Sequence, residues 1–390
     1  MKVLGAVFIK IQYLLFPWLL KCFYHVNPNR IVFQSKPNYS DNPRALSDYL
    51  VANGYLDKYE IYWVVNDSLK LEVSDNNVRV VNLYNSMRLY KWQAFKILLT
   101  SKYVFASHGF FIHKEKGLQG QKYITLWHGC GYKDNAGLQL NRFFDLALVP
   151  GPLFLKTKAK FWNTTEEYLL AKGYPRYDWL LHPSKRAIEL KRMLLKGGTK
   201  AIIWMPTYRN SIAYRGYAED VITQFPLMAS SKDWYSLDDA CRNNDVVLLV
   251  KLHPSQRNYD IRFDEFSNIQ LISNKDFADA DVQMYEFLAL TDGLVSDYSS
   301  VAIDYLLVNK PIAFALDDFD IYQKVRGFVF DNPKDYMPGH HLYSCEDLCN
   351  FVKDVAAGKD SYAIRRDEVS KIAISKSDNY CSDIVNYLKL

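Results

Sequence analysis

The sequence predicts an α/β protein made of two Rossmann-like, doubly wound domains that face one another across a cleft. Three observations carry this reading. The 390 residues exceed what one compact core holds. Short β-rich runs alternate with helical patterns, as βαβ units around parallel sheets require. The alternation also occurs twice, on either side of a basic stretch that ends in glycine. Hydrophobic residues make up 49% of the chain and charged ones 23%, which supplies a core and excludes a disordered or collagen-like polypeptide. A net charge of +5 is too small for this length to indicate a nucleic-acid binder.

Residues 1–26 stand apart from the rest. "MKVLGAVFIKIQYLLFPWLLKCFYHV" is strongly apolar, but Lys10, Gln12 and Pro17 interrupt it, so it reads poorly as a spanning helix or a cleaved leader. Phe16, Trp18, Phe23 and Tyr24 suit a headgroup boundary. We therefore expect an amphipathic helix that either lies in a membrane interface or docks on its own domain.

The first lobe, residues 27–185, is expected to carry strands at Ile31–Gln34, Ile61–Val65, Val78–Leu83, Tyr103–Ala106, Tyr123–Trp127 and Leu146–Val149. Asn42 before Pro43 reads as an N-cap with proline at the first helical position, and Gly54 closes that helix. "SKRAIELKRMLLKGGTK", closed by Gly197 and Gly198, joins the lobes. The second lobe, residues 186–390, is expected to carry strands at Ala201–Met205, Val246–Leu252, Ile269–Ile272, Gly293–Ser296 and Ile312–Leu316. Six cysteines lie scattered without paired spacing, which fits a reducing cytoplasm better than a disulfide framework or a metal site.

Ligands of open parallel sheets bind beyond the carboxyl ends of the strands. Four predicted strands end in groups with chemical potential: His128 after "YITLW", Thr207 and Arg209 after "AIIWMP", His253 after "VVLLVKL", and Asp297 after "GLVS". Ser299 and Ser300 follow Asp297 at the start of a helix, where hydroxyls and backbone N–H groups suit phosphate, although serine also caps helices with no ligand. Lys251 and His253 fall on one side of an extended strand. The Arg209 fork matches two phosphate oxygens. Gly129 and Gly131 leave room beside His128 for close backbone approach. His108, in "ASHGF", is the rival base on the same edge. No carboxylate pair is placed to demand a divalent metal, so neither metal nor cofactor is expected.

"LWHG", "GYPRYD", "MPTYR", "KLHP", "VSDYSSVAIDYLL", "KPIAF" and "YQKVRGF", with the early "YSDNPRAL", occur in that order over residues 39–328. Together they resemble the CDP-glycerol glycerophosphotransferase family, the primases and polymerases of wall teichoic acid and related capsule polymers. The resemblance implies a GT-B-like fold with the acceptor on the first lobe and the nucleotide on the second. It also implies peripheral association with the cytoplasmic face of the cell membrane.

It implies further that His128 is the base and that His253 acts near the donor diphosphate. Thr207, Arg209, Lys251, Asp297, Ser299 and Ser300 would then hold CDP-glycerol. Asp41 and Asn42 of the early motif, with Gly129 and Lys133 of the loop after the histidine, form the acceptor-side set. That loop, "CGYKDN", departs from the family pattern. Expected partners are CDP-glycerol, a lipid-linked glycan or polyol-phosphate acceptor, and an anionic membrane surface, without nucleic acid. A CDP-ribitol or GT-B sugar transferase, or a silent nucleotide-binding scaffold, are the competing readings. "MRLYKWQAFKILLTSKY" and "FLKTKAKFW" carry lysines among apolar residues, as membrane-surface helices and ordinary packing helices both do.

Overall fold

Every predicted strand lies in one of two parallel sheets. The structure is a computed structural model that describes residues 2–66, 77–134, 139–195, 198–207, 225–252 and 261–390. The first sheet contains β1 (Asn27–Gln34), β2 (Glu60–Val65), β3 (Arg79–Asn82), β4 (Ser101–Ala106), β5 (Lys122–Thr125), β6 (Leu146–Val149) and β7 (Leu169–Ala171), in the order β3-β2-β1-β4-β5-β6-β7. The second contains β8 (Lys200–Trp204), β9 (Val246–Val250), β10 (Ile269–Leu271), β11 (Gly293–Ser296), β12 (Ile312–Ala315) and β13 (His340–Leu342), in the order β10-β9-β8-β11-β12-β13. Both follow the doubly wound order, with reversal points between β1 and β4 and between β8 and β11. This is the GT-B-like pair of Rossmann-like sheets that the motifs implied.

The strands read as near-continuous apolar runs because both faces of each sheet are covered. β9 is buried along its whole length. In the first sheet Phe33 is in register with Trp63 and Phe105, and its ring stacks on theirs at 5.4 and 5.1 Å, which pins the central register. β7 and β13, at the sheet edges, were not expected. Each has three residues, too few to show a period.

Helix α1 (Lys2–Phe23) docks by one face only. Phe16 meets Trp92 and Phe95 edge-on at 5.0 and 5.3 Å, Leu20 is fully buried, and the Gln12 amide exchanges two hydrogen bonds with the Tyr90 backbone. The other face leaves Phe8, Ile11, Leu14, Leu15 and Trp18 exposed. Among the described residues no helix is long and apolar enough to cross a membrane. The helix Trp92–Thr100, from one of the two lysine-bearing stretches, buries Phe95, Ile97, Leu98 and Leu99, so its apolar side is spent on packing.

The last helix, Tyr380–Leu388, follows the second sheet in sequence but packs on the first lobe. Asp178 accepts from the Tyr380 and Cys381 N–H groups at 2.7 and 2.9 Å. Ser375 N–H reaches the Pro150 carbonyl at 2.9 Å.

Candidate active site

The first-lobe edge of the cleft is built where β5 ends. The Leu126 N–H still bonds the Ala106 carbonyl at 2.7 Å, and then Trp127 turns into the left-handed region with φ 51°. A bulky residue rarely adopts that conformation, which costs about 1–2 kcal/mol. Asn42 helps to hold the turn. Its amide donates to the Leu126 and Trp127 carbonyls at 3.2 and 2.8 Å and accepts from the Arg176 N–H at 3.2 Å. The sequence reading of Asn42 as an N-cap is therefore corrected. Ser40 precedes the helix Asp41–Ala52, and the Asn42 side chain, fully buried, is already committed to the β5 end.

The turn presents His128 to the cleft. Its Nδ1 donates to the Ser107 carbonyl at 3.2 Å, which leaves the Nε2 lone pair available to accept a proton. The His108 ring stacks on it with centroids 4.1 Å apart and planes 8° from parallel. His128 is exposed as a residue, yet protein atoms crowd its ring. That crowding, reinforced by His108, lowers its pKa from 6.5 to about 4. His128 is thus neutral near pH 7, as a general base must be. His108, the rival, donates or accepts at the Ser107 hydroxyl through Nδ1 at 2.9 Å and supports the other ring by stacking.

The loop after His128 meets the second lobe at once. Gly129 has φ 134°, and a Cβ there would stand 2.8 Å from the Ser300 Cβ. A Cβ on Gly131 would stand 2.8 Å from the Ser300 backbone N. Only glycine permits this approach. Beyond it, Lys133 forms a β-bridge with Phe328, the Val329 N–H bonds the Tyr132 carbonyl at 2.9 Å, and the Asp134 N–H bonds the Gly327 carbonyl at 3.0 Å. Tyr132, Lys133 and Asp134 of the "CGYKDN" stretch, expected to face an acceptor, are in this way bound by their backbone to the second lobe.

Arg176 locks the lobes together. One Nη bonds Asp41 at 2.6 Å and the His128 carbonyl at 3.1 Å, while the other bonds Asp304 at 2.7 Å. Asp304 is fully buried in the helix Val301–Tyr305 and also accepts from the Tyr177 and Tyr285 hydroxyls. Arg176 and Asp304 were not singled out from sequence, although both lie within quoted motifs. The available signal was an aspartate inside the apolar run "VAIDYLL", since a buried carboxylate needs a partner.

On the second-lobe edge, Thr207 follows β8 and Asp297 follows β11, so they flank the strand-order reversal. The Asp297 carboxylate accepts from the Thr207 N–H at 2.7 Å and from its hydroxyl at 2.5 Å. Asp297 is fully buried and acts on the site by fixing the Thr207 loop. Lys251, just past β9, is 6% exposed. Its Nζ donates to the Asn274 amide oxygen at 2.8 Å, and among the described residues no carboxylate pairs with it. Burial lowers its pKa from 10.5 to about 8. Ser299 and Ser300 are half-buried against the glycine loop. Arg209 and His253 lie outside the described residues.

The comparisons with known proteins agree with this architecture. A family model described as CDP-glycerol:poly(glycerophosphate) glycerophosphotransferase matches residues 16–388. The chain is 26% identical over 336 residues to the teichoic acid glycerol-phosphate primase of Bacillus subtilis (strain 168), covering 81% of each. It is 25% identical over 324 residues to the teichoic acid ribitol-phosphate primase of Bacillus spizizenii, covering 76% of this chain and 75% of that one. Among solved structures, the wall teichoic acid polymerase TagF superposes with a TM-score of 0.73 at 22% identity, covering 93% of this chain and 89% of the other. That last likeness is one of fold.

Proposed function

This chain belongs to the CDP-glycerol:poly(glycerophosphate) glycerophosphotransferase family, and from that premise we propose that it transfers glycerol phosphate from CDP-glycerol to a hydroxyl of a teichoic-acid acceptor, releasing CMP. The acceptor hydroxyl gives its proton to His128 Nε2 as its oxygen attacks the β-phosphorus. The bond from that phosphorus to the bridging oxygen breaks, CMP departs, and a phosphodiester remains. The proton then passes from His128 to solvent. Lys251 and Arg209 offset the charge of the donor phosphates and Ser299, Ser300 and His253 donate hydrogen bonds to them, so that positioning and electrostatics supply most of the acceleration.

The observation that carries this reading is geometric: His128 Nδ1 lies against the Ser107 carbonyl, which leaves Nε2 to accept a proton, and the glycines that follow His128 pack against Ser300 of the other lobe. Mass analysis of products from CDP-glycerol and a synthetic lipid-linked acceptor tests it. We expect mass increments of one glycerol phosphate matched by CMP. Product formed only from CDP-ribitol would move the chain to the activity named for its ribitol-phosphate relative, and no CMP from either donor would favour a silent scaffold.

Membrane association belongs to the same proposal. The outward stripe Phe8, Ile11, Leu14, Leu15 and Trp18, flanked by Lys10 and Lys21, fits an in-plane helix on an anionic bilayer. It would keep the enzyme at the cytoplasmic face beside a lipid-linked acceptor. Replacing Phe8, Leu14 and Trp18 with serine leaves the docked face intact and should abolish flotation with anionic liposomes. Full flotation of that variant would reject the assignment.

A further inference from the structure

Beside the His128 loop lies a cavity of about 220 Å³ that the transfer mechanism does not use. It borders Gly131, and its opposite walls come from the helix Leu155–Phe161 and from the strip Phe328–Val329 to which the loop is bonded. Lys158, Lys160 and Thr157 line it, as do Asp134 and Asp331. These lysines belong to "FLKTKAKFW", the second of the stretches that carried a possible membrane role in the sequence.

Lys158 does not behave as a membrane-facing lysine. It is half-buried, and its Nζ lies 5.5, 4.8 and 5.6 Å from the ring centroids of Trp127, Phe161 and Trp162. Trp127, one of the three rings, is the neighbour of His128, so part of the aromatic group that orients this cation belongs to the turn that carries the base. Among the described residues neither Lys158 nor Lys160 has a carboxylate partner. Aromatic faces hold a cation in place without neutralising it, which leaves its charge available to an anion.

The two lysines provide charged donors for phosphate oxygens, whereas the Thr157 hydroxyl already donates to the Phe154 carbonyl at 3.1 Å. Two carboxylates in the same cavity would repel a bare polyanion but accept hydrogen bonds from alcohols. The combination suits a phosphodiester flanked by hydroxyls. We propose that this cavity is an acceptor subsite for a polyol-phosphate unit, with Lys158 and Lys160 on its phosphate and Asp134 and Asp331 on its hydroxyls. The inference rests on the transferase reading above. It assigns the basic helix to substrate rather than to lipid, and it makes the enzyme prefer acceptors that already end in a polyol phosphate.

The test compares two alkyl-chain acceptors, one ending in a glycerol phosphodiester and one in uncharged glycerol, with CDP-glycerol as donor. The wild type should favour the phosphodiester acceptor in kcat/KM by at least ~10-fold, the scale of lost charge-assisted hydrogen bonds. The double variant Lys158→Gln, Lys160→Gln should lose that preference while its KM for CDP-glycerol stays within about twofold. Lys158→Arg, which keeps the charge, should retain the preference, and circular dichroism of the double variant verifies its fold. An active double variant with the preference intact would overturn the subsite and leave the transferase reading standing. If the wild type makes no product, the transferase reading fails first. Saturation-transfer NMR with glycerol 3-phosphate then decides the subsite: binding that the double variant loses supports it, and no binding to the wild type overturns it.

Discussion

Arg176 and Lys251 are both nearly inaccessible cations, at 2% and 6% exposure, yet their surroundings are opposite. Arg176 has a carboxylate from each lobe, and Asp304 in turn is saturated by two tyrosine hydroxyls. Among the described residues Lys251 has one neutral acceptor, Asn274, for three donor protons. Burying a charge without a counter-charge is costly, and the lowered Lys251 pKa expresses that cost. The difference separates two uses of positive charge in one cleft. A cation that arrives with its anions holds the protein together, whereas one that lacks them among the described residues suits the donor-phosphate role proposed for Lys251.

The comparison breaks first at the joint. Arg176→Met leaves Asp304 buried without its cation, and stability should fall by about 3–5 kcal/mol, read as a urea midpoint. Lys251→Met should do the reverse. It removes an unpaired buried charge, so stability holds or rises, while affinity for CDP-glycerol falls ~10–100-fold by calorimetry. A loss of stability in Lys251→Met as large as that in Arg176→Met would erase the distinction. The same lysine gives a pH signature. Because its pKa is about 8, its charge is lost in the free enzyme as pH rises through 8. Donor affinity in the wild type should therefore weaken between pH 7 and 9, and Lys251→Met should show a flatter dependence.

The smallest expected effect concerns the stacked histidines. Desolvation by the protein atoms around its ring, with His108 beside it, places the folded pKa of His128 at about 4, and burial places that of His108 below 6.5. Unfolded imidazoles therefore bind protons that the folded ones refuse, and the fold loses stability as pH falls from 6.5 towards 4. Below the folded value the loss is complete. His128→Ala should shrink the difference between urea midpoints at pH 7 and pH 4.5, and an unchanged difference would refute the lowered value.

Much of this was legible in the sequence because strand burial leaves a local trace. Eleven strands were expected from apolar runs, and each lies in one of the two sheets, with ends shifted by a few residues. The helix stop at Gly54 was equally local: its φ of 78° is a conformation that favours glycine. His128, Thr207 and Asp297 were expected just beyond strand ends, and each lies there, after β5, β8 and β11, because the strands themselves were legible.

Long-range pairing left no such trace. Nothing local says that the Asn42 amide serves the β5 end, that Arg176 reaches Asp304 across 128 positions of sequence, or that Gly131 lies against Ser300. The lysines of "FLKTKAKFW" illustrate the same limit. Their spacing alone fits a membrane face, and only the aromatic rings around Lys158 show which neighbours the fold gives it.

The central claim is that His128 is the base of a glycerol phosphate transfer made where the two lobes meet. It is tested most directly by CMP release from CDP-glycerol and acceptor, using purified, folded His128→Ala. We expect turnover to fall at least ~100-fold with little change in donor KM, the signature of a lost proton acceptor. Turnover equal to that of the wild type would contradict the account.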